Sequence, residues 1–211
     1  MTQRHSGFTV LELMMTVGLI AVLMMIAAPS LRDLIKNSRI TSQANDLMTD
    51  LAIARAEAVK RGVRTAICTS SDGLTCTATP WNQGWIIFTD HGPDKGGTYG
   101  AVDSAIPAPD TDTVLKIARA IDGANENPAN TITTINASVN AGAMYVGFRP
   151  SGVVTPGGAG AETEFLLCDS RTTDQVGASA ASNKGRHIRV AGTGRAFSIR
   201  CTCDTITTCA P

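Results

Sequence analysis

The chain has 211 residues, of which 43% are hydrophobic and 17% are charged. Its 18 basic and 18 acidic side chains leave a formal net charge of zero, which excludes a global field directed at nucleic acid or at an acidic membrane surface. Beyond the membrane segment described next, enough residues remain for one globular domain with its own hydrophobic core.

A short polar leader ending at Gly7 precedes a long apolar segment in which Glu12 is the only ionisable residue. As a helix this segment spans roughly 30 Å, the thickness of a bilayer core. A carboxylate there is costly to desolvate and indicates a function with a charged partner. Cleavage after Gly7 would give Phe8 a new amino group that can neutralise Glu12. We therefore predict a leader at residues 1–7 and a transmembrane helix at residues 8–29.

The hexapeptide Gly7-Phe8-Thr9-Val10-Leu11-Glu12 resembles the class III signal of type IV pilins and type II secretion pseudopilins. The resemblance implies that a prepilin peptidase cuts after Gly7 and N-methylates Phe8, and that Phe8 and Glu12 guide assembly into a filament. It also implies a single-pass protein of the inner membrane with its C-terminal domain in the periplasm, and a place in a filament or at a pilus tip after assembly. The alternative is an ordinary single-span anchor with an incidental glutamate.

An amphipathic periplasmic helix is predicted over residues 30–61, after a kink or a new start at Pro29. Charged residues, Asp50 among them, are expected on its exposed surface. Lys60 and Arg61 followed by Gly62 are typical of a helix C-terminus. The expected buried stripe recurs at steps of three and four residues: Leu31, Leu34, Ile35, Ala44, Leu47, Met48, Leu51, Ala54 and Ala58.

Residues 62–211 are predicted to form a β-rich globular domain that contains disulfides. With the helix laid across antiparallel sheet, the fold class is α+β, the arrangement of type IV pilins. Trp85 is expected in the core, and Thr155–Ala161 in an exposed loop. Seven short segments have the composition of strands: Val63–Thr69, Trp85–Thr89, Val114–Ala118, Ala143–Phe148, Glu164–Cys168, Arg186–Val190 and Ala196–Cys201.

The six cysteines all follow the membrane segment, and an even number in an exported domain indicates disulfides formed in an oxidising periplasm. Loop length favours Cys68–Cys76 across a turn, with Cys168 joined to one of the last three cysteines. The disulfide candidates are Cys68, Cys76, Cys168, Cys201, Cys203 and Cys209.

Enzymatic activity is not expected, and neither a metal nor a cofactor is predicted. His91 and His187 belong to no known nucleophile or metal signature. The spacing of Cys201 and Cys203 does not suit a zinc ribbon. Asp90 to Asp94 lack the ordered acidic spacing of an EF-hand, and a polar turn is the better interpretation.

Several further segments resemble the GspH/FimT branch of the pilin family. Among them are Ala54-Arg55-Ala56-Glu57-Ala58, Gly84-Trp85-Ile86-Ile87-Phe88 and Phe148-Arg149-Pro150-Ser151-Gly152. The resemblance implies a minor pilin that assembles into, primes or tips a type IV pilus, with other major and minor pilins as partners. The alternatives are a minor pseudopilin of the type II secretion system and a DNA-binding pilin for natural transformation.

Some FimT-like pilins resemble DNA receptors that carry a C-terminal Gly-Arg-x-Arg element. Here Gly194-Arg195-Ala196-Phe197 replaces the second arginine by phenylalanine. Backbone phosphate of double-stranded DNA is nevertheless a candidate ligand for the cations nearby. In an alternating strand His187 and Arg189 would share one face, opposite Ile188 and Val190. The candidate DNA-binding residues are Lys184, Arg186, Arg189, Arg195 and Arg200.

Overall fold

The computed structural model describes residues 9–77, 81–92, 99–103, 110–119, 134–138, 145–156, 163–168 and 185–201. At residues 26–30, 32–33, 134–138, 156, 168 and 201 it describes the backbone alone. The chain forms two compact units, Met1–Arg39 and Ile40–Pro211. In chain order the elements are α1 (Val10–Arg61), β1 (Thr65–Thr69), a 3-10 turn (Trp81–Gln83), β2 (Gly84–Thr89), β3 (Val114–Arg119), β4 (Thr134–Ser138), β5 (Tyr145–Phe148), β6 (Val154–Pro156), β7 (Thr163–Cys168), β8 (Gly185–Val190) and β9 (Ala196–Cys201).

Both ends of α1 are capped, and the cap at the C-terminal end was expected from the sequence. At the start, the Glu12 N–H donates to the Thr9 carbonyl at 3.1 Å and lies 3.3 Å from Thr9 Oγ1, so threonine serves as the N-cap. At the end, Gly62 has a φ of 69° and its N–H donates to the Ala58 carbonyl at 3.1 Å. The predicted helix end is therefore confirmed, because glycine adopts this left-handed conformation without a steric penalty.

In the first unit, the large apolar side chains between Val10 and Met25 are exposed. Among the described residues, no helix meets the length and hydropathy expected of a membrane span. Phe8 lies outside the described residues, and the transmembrane helix at 8–29 stays a prediction.

In the second unit, one stripe of α1 is fully buried, at Ile40, Ala44, Leu47, Leu51, Ala54 and Ala58. Apart from Ile40, these residues were predicted to be buried from their spacing. Leu31, Leu34 and Ile35 are exposed, so the predicted buried stripe is wrong for these three residues of the first unit. Asp50 was expected at the surface and is 2% exposed, since the indole of Trp85 and the ammonium of Lys116 bind its carboxylate.

The strands form two antiparallel sheets. The first has the order β3-β2-β1-β5-β6 and the second has the order β4-β7-β8-β9. All seven predicted strands are present, with bounds that differ by up to two residues. Strands β4 and β6 were not predicted. The expected exposed loop at Thr155–Ala161 is wrong at Thr155, which is buried in β6, and residues 157–161 lie outside the described residues.

The buried half of α1 packs in one hydrophobic cluster with residues from both sheets, including Ile67, Phe148, Phe165 and Ile188. The predicted α+β class, with a long helix on antiparallel sheet, is confirmed. Alternate residues of β1 and β2 form a second cluster on the other face of the first sheet. These central strands are therefore apolar on both faces, and Trp85 lies in the core as predicted.

Candidate assembly and binding sites

The predicted assembly residues lie at the start of α1. Glu12 is in the first helical turn and is exposed. Gly7 and Phe8 lie outside the described residues, so the cleavage site and the pairing of Glu12 with a new amino group stay predictions. A carboxylate in the first turn also complements the positive end of the helix dipole, which is a local role compatible with the predicted one.

The disulfide between Cys68 and Cys76 is present, with an S–S distance of 2.04 Å. Cys68 is fully buried in β1, on the face away from α1, and Cys76 packs against the same cluster. The bridge thus holds the loop after β1 over the outer face of the first sheet. Cys168 and Cys201 end β7 and β9, and Cys203 and Cys209 lie outside the described residues. The pairing of these four stays a prediction.

The cations predicted to bind DNA do not share one face of the second sheet. Arg186 and Arg200 are cross-strand partners on β8 and β9. Arg186 donates from Nη2 to Thr41 Oγ1 on α1 at 2.9 Å, and burial together with the charge of Arg200 lowers its pKa. Arg186 therefore serves to hold the sheet against the helix, and Arg200 is exposed beside it.

Arg189 lies on the other face of β8, as its odd spacing from Arg186 requires. Its Nε is 3.5 Å from Glu164 Oε1 on β7. His187 shares that face, as predicted, but it is 4% exposed and its Nε2 lies 3.6 Å from Glu164 Oε2. Within the described ranges, neither ring nitrogen of His187 has a hydrogen-bond partner. Lys184 lies outside the described residues.

Arg195 lies in the turn between β8 and β9, at the opposite end of these strands from Arg200. Gly194 in this turn lies against the side chain of Arg55 on α1. Arg55 Nε in turn donates to the carbonyl of Gly152, in the turn between β5 and β6, at 3.0 Å. A hydrogen bond of 3.0 Å from the Val154 N–H to the Gly192 carbonyl joins the same turn to the first sheet. Sequence reasoning missed this junction, which brings together two glycine-containing turns and the helix.

In the segment from Asp90, compared above with the calcium loop of an EF-hand, the described carboxylate of Asp90 is engaged within the protein. The Asp90 carboxylate accepts from Arg64 Nε at 2.9 Å and from the Gly100 N–H at 3.2 Å. Asp112 accepts from the His91 N–H at 2.9 Å. Burial raises the pKa of Asp90 to about 6, against the opposing effect of Arg64. In the part of the chain that the structure describes, no group of three His, Cys, Asp or Glu residues is placed to hold a metal ion.

The comparisons with solved structures gave three similar chains. Two are crystal forms of the type IV minor pilin FimU of Pseudomonas aeruginosa. The first has 17% identity and a TM-score of 0.49, covering 82% of this chain and 96% of that chain. The second has 17% identity and a TM-score of 0.46, covering 81% of this chain and 99% of that chain. The third is the minor pseudopilin EpsH of the type 2 secretion system of Vibrio cholerae. It has 12% identity and a TM-score of 0.40, covering 77% of this chain and 97% of that chain.

No curated protein matches the sequence significantly. A family model described as type II transport protein GspH matches residues 43–194, which include the buried stripe of α1 from Ala44 onward, the first sheet, and strands β4, β7 and β8 of the second sheet up to the turn at Gly194. The resemblance to the GspH branch noted from the sequence is confirmed. Because the match extends over more than half of the 211 residues, the chain belongs to the GspH family of type II transport proteins.

Proposed function

We propose that this chain is a minor pilin that assembles into, primes or tips a type IV pilus, and that it acts through contacts with other pilins and not through catalysis. The observation that carries the proposal is the GspH family match at residues 43–194, on a domain in which a long helix packs against antiparallel sheets. The FimT-like residues of that helix favour a pilus. The alternative within the same family is a minor pseudopilin of the type II secretion system.

The proposed assembly route begins at the N-terminus. Prepilin peptidase cleaves after Gly7 and methylates Phe8, and the helix at residues 8–29 keeps the chain in the inner membrane with its second unit in the periplasm. Glu12 then pairs with the amino group of a neighbouring subunit or of its own Phe8. Two observations support this step: the position of Glu12 in the first turn, and the exposure of the apolar side chains that follow it. A buried ion pair offsets a desolvation cost of several kcal/mol per ion.

Binding of double-stranded DNA is the further alternative, with Arg195 and Arg200 as its exposed cations. Because they lie at opposite ends of β9, they would contact phosphates at separate places along a duplex. Such contacts weaken steeply with salt and carry no sequence preference.

Deletion of the gene in its own host distinguishes these functions. If the proposed function is correct, the deletion removes or reduces surface pili. Protein secretion is unaffected, and so is transformation by added DNA through a pilus-independent route. Intact pili with exoproteins retained in the periplasm would assign the chain to type II secretion. Intact pili and secretion with reduced uptake of DNA would assign it to transformation. Complementation with the wild-type chain is the control.

A further inference from the structure

A groove of about 600 Å³ lies between α1 and the turn that joins β8 to β9. Its volume is within the range of pockets that hold ligands or short segments of a partner. Its apolar surface comes from one face of the helix and the first residue of β9, and Val59 in it is 55% exposed. The apolar lining residues are Met48, Ala52, Ala56, Val59 and Ala196.

Three cations line the same groove: Arg55, Lys60 and Arg195. Arg55 donates to the neutral carbonyl of Gly152, so its charge is not compensated by that bond. Lys60 is 3.5 Å from Glu57, but Glu57 also binds Arg61 at 2.6 Å.

The third cation, Arg195, is exposed, and within the described residues it has no ion pair. The groove therefore combines an open apolar floor with excess positive charge. A partner that fits must offer apolar side chains and carboxylates together, because either group alone would leave half of the lining unmatched.

We propose that this groove binds an acidic, apolar segment of a neighbouring filament subunit. The proposal rests on the proposed function, since the neighbour is a subunit of the same filament. Apolar side chains of that segment contact the helix face around Ala56, and its carboxylates pair with Lys60 and Arg195. The hydrogen bond between Arg55 and Gly152 positions one wall of the groove before the partner arrives, which lowers the entropic cost of binding.

The binding test uses the full chain in a mild detergent and a fluorescein-labelled hexapeptide of alternating leucine and aspartate, followed by anisotropy. Two matched peptides replace aspartate by asparagine or leucine by serine. We expect the leucine–aspartate peptide to bind at least about fivefold more tightly than either, and Lys60→Gln or Arg195→Gln to weaken it about two- to fivefold each. Arg119→Gln, which removes an exposed cation on β3, should change nothing.

Equal affinity for the three peptides, or the same loss in Arg119→Gln as in Arg195→Gln, would overturn the proposal. So would a short DNA duplex that displaces the peptide and loses its own binding in Arg195→Gln, because the groove would then be a nucleic-acid site.

The test in cells introduces a negative charge, of the same sign as the carboxylates of the proposed partner, into the groove with Ala56→Glu at an exposed position of α1. We expect its content in purified filaments to fall at least about fivefold, with the total amount of chain unchanged. Ser42→Glu, on an exposed position of α1 outside the groove, is the matched control. Normal incorporation of Ala56→Glu together with loss of Glu12→Ala overturns the groove and leaves the filament function. Normal incorporation of both variants overturns the role of Glu12 as well, whereas absence of the wild-type chain from purified filaments overturns the filament function.

Discussion

The carboxylate of Asp50 is predicted to be one of the main polar contacts between α1 and the first sheet. It accepts from Trp85 Nε1 at 2.8 Å and forms an ion pair with Lys116, and both partners lie on neighbouring strands. The side chain of Asp50 is 3% exposed and that of Lys116 is 42% exposed. The indole contact is thus buried, whereas the ammonium keeps part of its hydration.

Asp50→Ala removes the acceptor and leaves the buried Trp85 N–H without a partner. A hydrogen bond to a charged group contributes about 1.5–3 kcal/mol, and a partly exposed ion pair adds less than about 1 kcal/mol. We expect the free energy of unfolding to fall by about 2–3 kcal/mol, which lowers Tm by about 4–12 °C for a domain of this size. Asp50→Asn keeps an acceptor for the indole and should lose only about 1 kcal/mol.

Thermal unfolding of the full chain in mild detergent, followed by tryptophan fluorescence, measures these changes. Asp46→Ala is the matched control, because Asp46 is exposed on the same helix and should shift stability by no more than about 0.5 kcal/mol. In a double-mutant cycle, the losses from Asp50→Ala and Trp85→Phe should not add. Equal stability of Asp50→Ala and Asp46→Ala, or full additivity in the cycle, would refute the reasoning.

Three further predictions concern the second unit. In Gly194→Ala the new Cβ would lie 2.1 Å from the Gly152 carbonyl oxygen at a φ of 82°, so we expect the free energy of unfolding to fall by more than about 3 kcal/mol. In Gly62→Ala the new Cβ meets no atom within 4 Å, and the free energy of unfolding measured in the same melt should fall by only about 1 kcal/mol. Replacing both Cys68 and Cys76 by serine should reduce denaturant stability by about 2–3 kcal/mol, because the short closed loop no longer restricts the unfolded chain, and an unchanged midpoint would contradict this. Because burial raises the pKa of Asp90 from 3.8 to about 6, the folded state holds the proton more tightly than the unfolded state, so this contribution to stability is present below pH 4 and is lost as pH rises through about 6. The difference in unfolding free energy between wild type and Asp90→Asn should therefore fall across that interval, and a difference that stays constant with pH would exclude the effect.

The sequence was sufficient for features that depend on local signals. Gly62 after two basic residues marked the helix end, because the left-handed cap is a local requirement of the backbone. The strands were recognised from β-branched and aromatic residues between turn residues. Strand β6 was missed because it has three residues and ends in proline, and the division into two sheets depends on pairing between distant segments.

The burial of Asp50 was not predictable from the helical pattern. Its partners Trp85 and Lys116 are 35 and 66 residues away along the chain, and no local signal brings them together. The contact of Arg55 with Gly152 could not be predicted for the same reason, because the two residues are 97 positions apart along the chain.

By contrast, the sequence was sufficient to predict that the cations lie on different faces of the sheet. Arg186 and Arg189 are three residues apart, and strand alternation puts residues at odd separations on opposite faces. Counting cations along the chain suggested one patch, whereas counting them by face separates Arg186 from Arg189. Cross-strand pairing of Arg186 with Arg200 required the register of the sheet.

The central claim is that this chain becomes a filament subunit through Glu12, and its most direct test is the amount of chain in filaments purified from its own host. Wild type is compared with Glu12→Ala, with Met14→Ala as the control in the same helical segment. We expect Glu12→Ala to reach the membrane at the wild-type level and to fall at least about tenfold in filaments, because the partner charge loses its counterion. Incorporation of Glu12→Ala at the level of wild type and Met14→Ala would contradict the claim.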